Sequence, residues 1–564
     1  MKFPLPVSKL FTARDGQEPS SFCMFLLLAF FIAVVAGLII RVGPLINTLF
    51  WIDTVLLMDG GWRVLCGQIP HGDFHSGLGL LTFVFIALSM KWVGLSLWSI
   101  TVMNCFFFVL ITLWAWIIAI RRMHSLIALL FSISVGAFIA GTYHLGFQYQ
   151  VATYSNLYNR YGYALLFIAL CEQVFPPRKK TAFDEVAGGL STGIIITALF
   201  FVKATYSTVA ALFICMRIWM RGASRQWLIG AATGALLCLL PILVFIRFNI
   251  MAVLRDYGMM SKVRGEAVFQ ADTLYKSLMH HLAPCVYLFV SWLFVPAFSG
   301  EGEEKRLSKN SLSLLLVGAL LSAHFLNITN FSFNYVDLPL YAFISFVPLE
   351  YFLRRSTLTE RKAGRVFAIL IVLFALSSGM FIVKNLQSLK YSLELKAEFL
   401  ERLPKIESAP LCNFYVFCGG DHDPERFTEI VKDIPDSDYP ARLILYDMRS
   451  YAAIVNDGLA LLRKHTDSDS RIAALWFDNP FPLALGLKSP LHQSIFYQYQ
   501  YNFNDRVHWQ PEELFSDTTH IMVKIEADSN STAPLARLYG SYIKSHYEQT
   551  DKSARWALFT LRKK

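Results

Sequence analysis

Long apolar stretches follow one another along the first two thirds of the chain, with short polar segments between them. A stretch of about 18 or more apolar residues is typical of a transmembrane helix, because that length spans the hydrocarbon core of a bilayer. The pattern predicts an α-helical polytopic membrane protein. We expect about eleven transmembrane helices, at 22–42, 98–120, 125–142, 162–176, 186–202, 204–220, 227–247, 284–299, 310–327, 338–353 and 365–384.

The distribution of basic residues predicts how these helices are oriented, because Lys and Arg are enriched in cytoplasmic loops. With a cytoplasmic N-terminus and an apolar segment 78–96 that does not cross the bilayer, about 19 basic residues face the cytoplasm and about 8 face the other side. If 78–96 crosses the bilayer, nearly all of the basic residues counted as cytoplasmic face the outside instead. We therefore expect 78–96 to be an interfacial or re-entrant helix, in a multi-pass protein of the bacterial inner membrane.

The composition changes after residue 384, where the apolar stretches end. About 180 residues of ordinary soluble composition follow, enough for one domain. We therefore predict a transmembrane domain at 1–384 and a periplasmic soluble α/β domain at 385–564. In the latter, the spacing of apolar residues predicts helices at 441–464 and 533–547 and strands at 472–477, 495–501, 520–525 and 555–561.

Overall composition narrows the classes of function. Hydrophobic residues make up 55% of the chain and charged residues only 16%, which excludes a disordered chain and a coiled coil. The net charge of +10 follows from basic cytoplasmic loops, so no nucleic-acid partner is expected. The sequence contains no Walker loop, Rossmann fingerprint, HExxH or GxSxG motif. A soluble nucleotide-sugar donor therefore has no visible binding site.

The first segment predicted to face outward, 43–97, is rich in charged groups. Charges beside a membrane are costly unless they have a function or are well solvated. The segment is therefore either part of a functional site or a solvated loop with ordinary capping aspartates. Two turn signals occur in it, at Asp59-Gly60-Gly61 and at Gly67–Pro70. Its ionisable residues are Asp53, Asp59, Arg63, His71, Asp73 and His75.

The order of residues in this segment is distinctive. An Asp directly follows the first helix, Gly-x-x-Pro comes later, and Gly-Asp-Phe precedes a Gly-rich return to apolar sequence; the matching residues are Asp53, Gly67, Pro70, Asp73 and Phe74. This pattern resembles the GT-C superfamily of integral membrane glycosyltransferases, which includes protein O-mannosyltransferases and aminoarabinose transferases. His71 stands where Tyr is usual, and Thr54 where many members carry Glu. The resemblance covers the membrane part and does not extend to the C-terminal domain.

The resemblance implies a GT-C-like catalytic domain at 1–384 that takes a polyprenyl-phosphate-linked sugar as donor. The acceptor, a glycan, a lipid or a protein, enters from the periplasmic side, and the anomeric centre is inverted. The family's loop Asp corresponds to Asp53, the predicted general base. An acceptor hydroxyl must lose its proton as it attacks, which requires a carboxylate within hydrogen-bond reach. Asp59 and Asp73 are further candidates, although Asp73 is placed to orient the loop.

A lipid-phosphate donor also requires cations on the outer side. Lys203 interrupts an almost unbroken apolar run, which marks either a functional group or a snorkelling residue at a short turn between two helices. Arg160 follows Tyr158 and Asn159 in a second outer segment. That segment suits sugar or phosphate contacts, or it is an interfacial aromatic belt. The predicted phosphate-binding residues are Lys203, Arg160 and Arg63, with Lys262 and Arg264 as further outward cations.

Polar and aromatic residues of the outer segments are the candidates for substrate binding: His71, His75, Tyr158, Asn159, Asn334 and Tyr335. The sequence requires no cofactor, and the resemblance leaves a divalent metal open, because some members of the family use one and others do not. The pair His280-His281 lacks the spaced partners of a typical metal site. Two other classes compete with a transferase, namely a polymerase or ligase of lipid-linked glycans and a transporter or flippase. The chain lacks the two related halves that are typical of a transporter.

Overall fold

The computed structural model describes residues 20–179, 181–268, 309–330, 339–355, 360–417, 451–526 and 531–562, together with Tyr275, Met279, Val286 and Phe289. Within these residues the chain is mostly helical and carries a small sheet near its C-terminal end. The predicted fold class, a helical protein with a C-terminal α/β region, is confirmed.

In chain order, the helices of the first part are α1 (Ser21–Val42), α2 (Ile52–Leu65), α3 (Leu80–Val93), α4 (Trp98–Ile120), α5 (Ser125–Ala140), α6 (Leu157–Val174), α7 (Ala182–Val202), α8 (Ala204–Arg221), α9 (Arg225–Phe245), α10 (Ile250–Val268), α11 (Lys309–Asn330), α12 (Pro339–Ile344), α13 (Phe346–Arg355), α14 (Glu360–Phe374) and α15 (Met380–Phe399).

Every predicted transmembrane stretch overlaps a described helix except 284–299, of which the structure describes only Val286 and Phe289. By length and composition, five helices of the described part can cross a membrane: α1, α4, α7, α9 and the continuous helix Val366–Arg402, which joins α14 to α15 through a π-helical turn. α3 has 14 residues, a length of about 21 Å, against a hydrocarbon core of about 30 Å. That length fits the expectation that 78–96 does not span, which stays a prediction.

Segments that the sequence predicts on the same side of the membrane contact one another. At one end the Thr48 hydroxyl donates to the Gln150 carbonyl oxygen at 3.1 Å. At the other end Arg121 forms an ion pair with Asp184 at 2.5 Å. The first pair belongs to segments predicted to be periplasmic, and the second to segments predicted to be cytoplasmic. Those candidate site residues that the structure describes lie at the first end, which we call the outer end.

The helix α2 lies inside the segment that the sequence presented as a loop. The turn predicted at Asp59-Gly60-Gly61 is wrong, because these residues lie within α2. A Cβ atom on Gly60 would lie 2.2 Å from the Phe83 ring, and one on Gly61 would lie 2.5 Å from Ile86. The two glycines therefore let α2 pack directly on α3. The second predicted turn is confirmed, since Gly67 follows the end of α2 with φ +88°.

Glycines also bring α7 and α9 into contact. A Cβ atom on Gly193 would lie 2.0 Å from the Ala231 carbonyl oxygen, and one on Gly230 would lie 2.3 Å from that of Val186. Small residues at a helix interface allow backbones to approach closely, which is a common means of association between membrane helices. α7 and α9 are thereby held side by side, and α8 continues from α7 after the single residue Lys203.

The C-terminal part contains α16 (Tyr451–Leu462), α17 (Phe481–Leu485), α18 (Pro511–Leu514) and α19 (Thr532–His546). Its four-stranded sheet has the order β3 (Ile472–Leu475), β4 (His520–Lys524), β6 (Trp556–Leu561) and β5 (Tyr547–Lys552). β3 and β4 are parallel, and β6 is antiparallel to both of its neighbours. A separate two-stranded parallel sheet joins β1 (Ile46–Asn47) to β2 (Tyr415–Val416), so the outer end contacts the C-terminal part.

Most of the predicted C-terminal elements are confirmed, but one predicted strand is wrong and one observed strand was not predicted. Residues 495–501 form no strand, because their backbone bonds go elsewhere: the Ile495 amide donates to the His75 carbonyl oxygen at 2.9 Å, and the Tyr497 amide donates to that of Phe477 at 2.8 Å. The strand β5 was not predicted, because its sequence YEQTDK is polar. Of the predicted helix 441–464, residues 441–450 lie outside the described residues. α15 continues past residue 384 to Phe399, and the division at 384/385 stays a prediction.

Candidate active site

Asp53 lies in the first turn of α2, at the outer end. A carboxylate in that position is favoured by the helix dipole. Its side chain is only partly exposed. Burial raises the pKa of Asp53 to about 6, although the neighbouring Ser155 hydroxyl and the charge of Lys203 act in the opposite direction. Asp53 is therefore a stronger base than an ordinary aspartate and is still largely ionised at neutral pH.

Lys203 is the single residue between α7 and α8, where the backbone is extended. The apolar run that it interrupts is therefore two helices, as the separate stretches predicted at 186–202 and 204–220 require. Its side chain is buried, with Nζ 3.2 Å from Asn159 Oδ1 and 5.0 Å from the centre of the Tyr158 ring. Lys203 interacts electrostatically with Asp53 and with Arg264. The predicted base and one predicted phosphate ligand thus belong to one site.

A network of amides holds this site in place. Asn159 Oδ1 also accepts from the Tyr206 hydroxyl at 3.2 Å, and Asn159 Nδ2 donates to Asn156 Oδ1 at 2.6 Å. Asn156 has φ +66°, in the left-handed region that Asn tolerates better than most residues. Asn159 is therefore oriented on both sides, with its carbonyl oxygen toward Lys203. Tyr158 and Asn159, both predicted from the sequence, lie at the site.

Arg160 lies one residue further along α6 but makes different contacts. Its Nη1 donates to the Phe138 carbonyl oxygen and to Asn385 Oδ1 at 2.7 Å, and its Nη2 donates to the Tyr143 carbonyl oxygen at 2.6 Å. The guanidinium is fully buried and also lies over the Tyr143 ring. These contacts tie α6 to α5 and α15. The predicted phosphate role of Arg160 is not tested by this arrangement and stays a prediction.

Asp59 and Arg63 form a buried ion pair one turn apart on α2. Arg63 Nε donates to Asp59 Oδ2 at 2.8 Å, and both side chains are almost completely buried. The Ser489 hydroxyl donates to the other carboxylate oxygen at 3.2 Å, and Arg63 Nη1 donates to the Pro490 carbonyl oxygen at 3.0 Å. The pair therefore connects α2 to the C-terminal part. Catalysis by Asp59 and phosphate binding by Arg63 remain untested predictions.

Asp73 closes the loop that follows α2. Its Oδ2 accepts from the Ile69 amide at 2.8 Å, and its carbonyl oxygen accepts from the His492 amide at 2.7 Å. These contacts agree with the expectation that Asp73 orients the loop. Nearby, Gln68 Nε2 donates to the Ser489 carbonyl oxygen at 2.6 Å. The loop and the segment 487–495 are therefore joined by several hydrogen bonds.

His71 and His75 meet at one carboxylate, Asp256 of α10. The two Nδ1 atoms each lie 2.9 Å from an Asp256 oxygen, and the Ser76 amide donates to Oδ2 at 3.0 Å. Burial by itself favours the neutral carboxyl group, but the hydrogen bonds from His71 and His75 outweigh it and lower the pKa of Asp256. Both histidines are buried. Contact of either with substrate remains a prediction.

Some residues of the outer end were not singled out by the sequence. Ser155 adjoins Asp53, and Asp256 organises the two histidines. His492 and Glu513 lie close to His75. The sequence carries no signal for these contacts, because the partners are far apart along the chain. The predicted substrate residues Asn334 and Tyr335, and the pair His280-His281, lie outside the described residues.

An apolar groove of about 540 Å³ runs beside the site. It lies between α7, α8 and α9 and ends at the start of α10. Of these helices, α7 ends and α8 begins next to Lys203. Its walls carry few polar atoms. The lining residues are Ile196, Thr197, Phe200, Phe201, Ser207, Thr208, Ala211, Leu239 and Ile250.

No family model and no curated protein matches the chain. Solved structures similar to it include the crystal structure of ArnT from Cupriavidus metallidurans bound to undecaprenyl phosphate, with 10% identity, a TM-score of 0.47 and coverage of 94% of this chain and 97% of that chain. The apo state of ArnT has 9% identity and the same TM-score and coverage. The cryo-EM structure of the arabinofuranosyltransferase AftD from Mycobacteria has 12% identity and a TM-score of 0.42, covering 95% of this chain and 40% of that one.

Proposed function

We propose that this protein is a membrane glycosyltransferase. It transfers a hexosyl or pentosyl group from a polyprenyl-phosphate donor to a glycan, lipid or protein acceptor at the outer end, with inversion. Asp53 acts as the general base, and Lys203 binds the donor phosphate. The observation that carries the proposal is the partly exposed Asp53 carboxylate beside the buried Lys203 ammonium group.

The properties of Asp53 suit proton abstraction from an acceptor hydroxyl. A general base is most effective when its pKa lies near the working pH, and burial raises the pKa of Asp53 to about 6. In a direct displacement, the acceptor oxygen bonds to the anomeric carbon as the bond from that carbon to the phosphate oxygen breaks. The acceptor proton moves to Asp53. The departing phosphate needs little protonation, so one carboxylate suffices for the transfer.

The charges around Lys203 favour an anionic ligand. Lys203 is attracted by the charge of Asp53 and repelled by that of Arg264, so the positive charge around Lys203 is only partly offset. A donor phosphate would supply further negative charge at this position. Its contact with a buried ammonium group would stabilise the charge that develops on the leaving phosphate, where water is largely excluded.

The apolar groove gives the donor's lipid a place to lie. It is formed by the same helices that end and begin at Lys203. A polyprenyl chain could occupy the groove while its phosphate reaches Lys203 and its sugar faces Asp53. Undecaprenyl phosphate, the ligand in the ArnT structure, belongs to this class of lipid. The proposal does not rest on the similarity to ArnT.

The proposal is tested with the full chain in lipid nanodiscs. Radiolabelled undecaprenyl-phosphate hexoses and pentoses are supplied in turn, with candidate lipid and glycan acceptors. We expect at least one donor to release undecaprenyl phosphate while its label moves to the acceptor with inverted anomeric configuration. The variant D53N should lower the initial rate by about 10²–10⁴-fold, the usual contribution of a general base.

A matched control is D469N, the same chemical change at an exposed residue of the C-terminal part. Its rate should equal that of the wild type. Full activity of D53N at normal expression would contradict the proposal. A flippase would move the donor across the bilayer without releasing undecaprenyl phosphate, and a polymerase or ligase would transfer only preassembled glycans.

A further inference from the structure

Three potential metal ligands from distant parts of the chain meet at the outer end. They are His75 after α2, His492 in the C-terminal part and Glu513 in α18, and one ligand atom of each lies within 4.8 Å of the others. His75 Nε2 lies 3.8 Å from Glu513 Oε1. We propose that these residues bind a zinc ion that joins the first outer segment to the C-terminal part.

His75 is oriented as a metal ligand. Asp256 accepts from the Ser76 amide, and its other oxygen lies 2.9 Å from His75 Nδ1. An ionised carboxylate can only accept hydrogen bonds, so this contact requires the proton on His75 Nδ1. In a neutral imidazole, Nε2 then presents a lone pair. Metal-bound histidines commonly donate their other ring hydrogen to a carboxylate, which fixes the tautomer and the ring orientation. Trp509 stacks on the His75 ring at 5.3 Å and further restricts it.

The nitrogen that His75 presents needs a partner. His75 is only 2% exposed, and its Nε2 has no hydrogen-bond partner among the residues that the structure describes. A buried polar atom without a partner is costly. In the described part of the chain, Nδ1 of His492 is also buried and unpartnered. A shared metal ion would satisfy the nitrogen of His75 and one of His492.

The backbone holds His492 beside His75. Its amide donates to the Asp73 carbonyl oxygen at 2.7 Å. The His75 amide donates to the Gln493 carbonyl oxygen, and the Ile495 amide donates to the His75 carbonyl oxygen, both at 2.9 Å. His492 has φ +58°, a left-handed conformation that is uncommon outside glycine and is found more often at functional positions.

The ligand set favours zinc over other common ions. Two imidazoles and one carboxylate, with a water molecule as fourth ligand, are typical of zinc, whereas Mg²⁺ and Ca²⁺ prefer oxygen ligands. Glu513 is partly exposed, so its carboxylate can adjust to the ion. The guanidinium of Arg255 lies 3.8 Å from Glu513 Oε1 and competes for it, but this contact is also exposed and can open.

The proposal does not depend on the proposed transferase activity, so its test uses metal content and thermal stability. The full chain is purified in nanodiscs, stripped with a chelator, incubated with ZnCl₂ and dialysed. We expect about one tightly bound zinc ion per chain by mass spectrometry, and an increase in Tm with added zinc that MgCl₂ does not reproduce. H492Q and E513Q should each lose the bound zinc and the Tm increase.

Asp256 is a positioning residue, and D256N should weaken zinc affinity by about 10–100-fold. H546Q, a change at an exposed histidine of α19, is the matched control and should behave like the wild type. H75Q changes a buried residue and could fail to fold, so H492Q and E513Q decide the test. Zinc content and a zinc-dependent Tm that are the same in H492Q, E513Q and H546Q would overturn the proposal, as would a wild type that retains no zinc.

Discussion

The two ends of α2 carry the same kinds of residues but differ in how completely their charges are paired. Near its C-terminal end, Asp59 is bound by Arg63 and by Ser489, and all three are buried. At its N-terminal end, Asp53 remains partly exposed and shares Lys203 with other groups. A fully paired charge connects parts of the fold, whereas an incompletely paired charge that a ligand can reach is typical of a functional site.

The largest expected effect concerns the C-terminal end of α2. Removing one partner of a buried ion pair leaves the other charge uncompensated, which costs about 3–5 kcal/mol. We therefore expect R63M to lower the Tm strongly and to reduce the yield of folded protein, as measured by thermal unfolding in nanodiscs. R402M, at an exposed arginine, is the control.

The double variant D59N/R63M sharpens this test. Because it removes both charges, it should be less destabilised than R63M alone. A Tm of R63M equal to that of the wild type would show that the Asp59–Arg63 pair does not stabilise the fold.

The next effect concerns the N-terminal end. K203M replaces the ammonium group with an apolar side chain of similar length, and it should lower kcat/KM for a lipid-phosphate donor by about 10²–10³-fold. The Tm should change little, because a buried charge is removed together with its desolvation cost. K203R should recover part of the activity, and K488M at an exposed lysine should retain all of it. A large loss of Tm with unchanged kcat/KM would show that Lys203 stabilises the fold and does not bind the donor.

The third effect is on the pH dependence. Burial raises the pKa of Asp53 to about 6, and only the ionised form accepts a proton. The rate should therefore fall about tenfold per pH unit below pH 6. In K203M this limb should move to higher pH, because the charge of Lys203 lowers the pKa of Asp53. A profile that stays flat down to pH 4.5 would exclude Asp53 as the base.

The smallest effect again tests the C-terminal end. Trp62 Nε1 donates to the Leu487 carbonyl oxygen at 2.8 Å, so W62F removes one hydrogen bond between α2 and the C-terminal part. We expect a loss of about 1 kcal/mol, measured as a small decrease in Tm with kcat/KM unchanged. A strong loss of activity with an unchanged Tm would link this end of the helix to catalysis.

The sequence predicted the helical part well, because long apolar stretches are strong local signals. It also identified Lys203 as a break in such a stretch, and Asp53 from its position after the first helix. It missed α2 as a helix, since Gly60 and Gly61 usually indicate a turn and here serve close packing against α3. The strand β5 was missed because it is polar and pairs only with β6.

Contacts between distant parts of the chain could not be predicted. Asp59, Arg63 and Asp73 are predicted site residues, and besides their local partners each also contacts the segment 489–492. The same limit hid the meeting of His75, Asp256 and His492. Charge and spacing identify residues that need partners, whereas only the tertiary fold determines which partners they obtain.

The pairing of β1 with β2 has a consequence for how the protein is made. Asn47 and Tyr415 are separated by 368 residues and still share a hydrogen bond. During synthesis, the first outer segment therefore emerges long before the residues that complete it. Until then, Arg63 and Gln68 lack acceptors that the finished chain supplies. A chain that stops before residues 489–490 leaves both side chains without these partners.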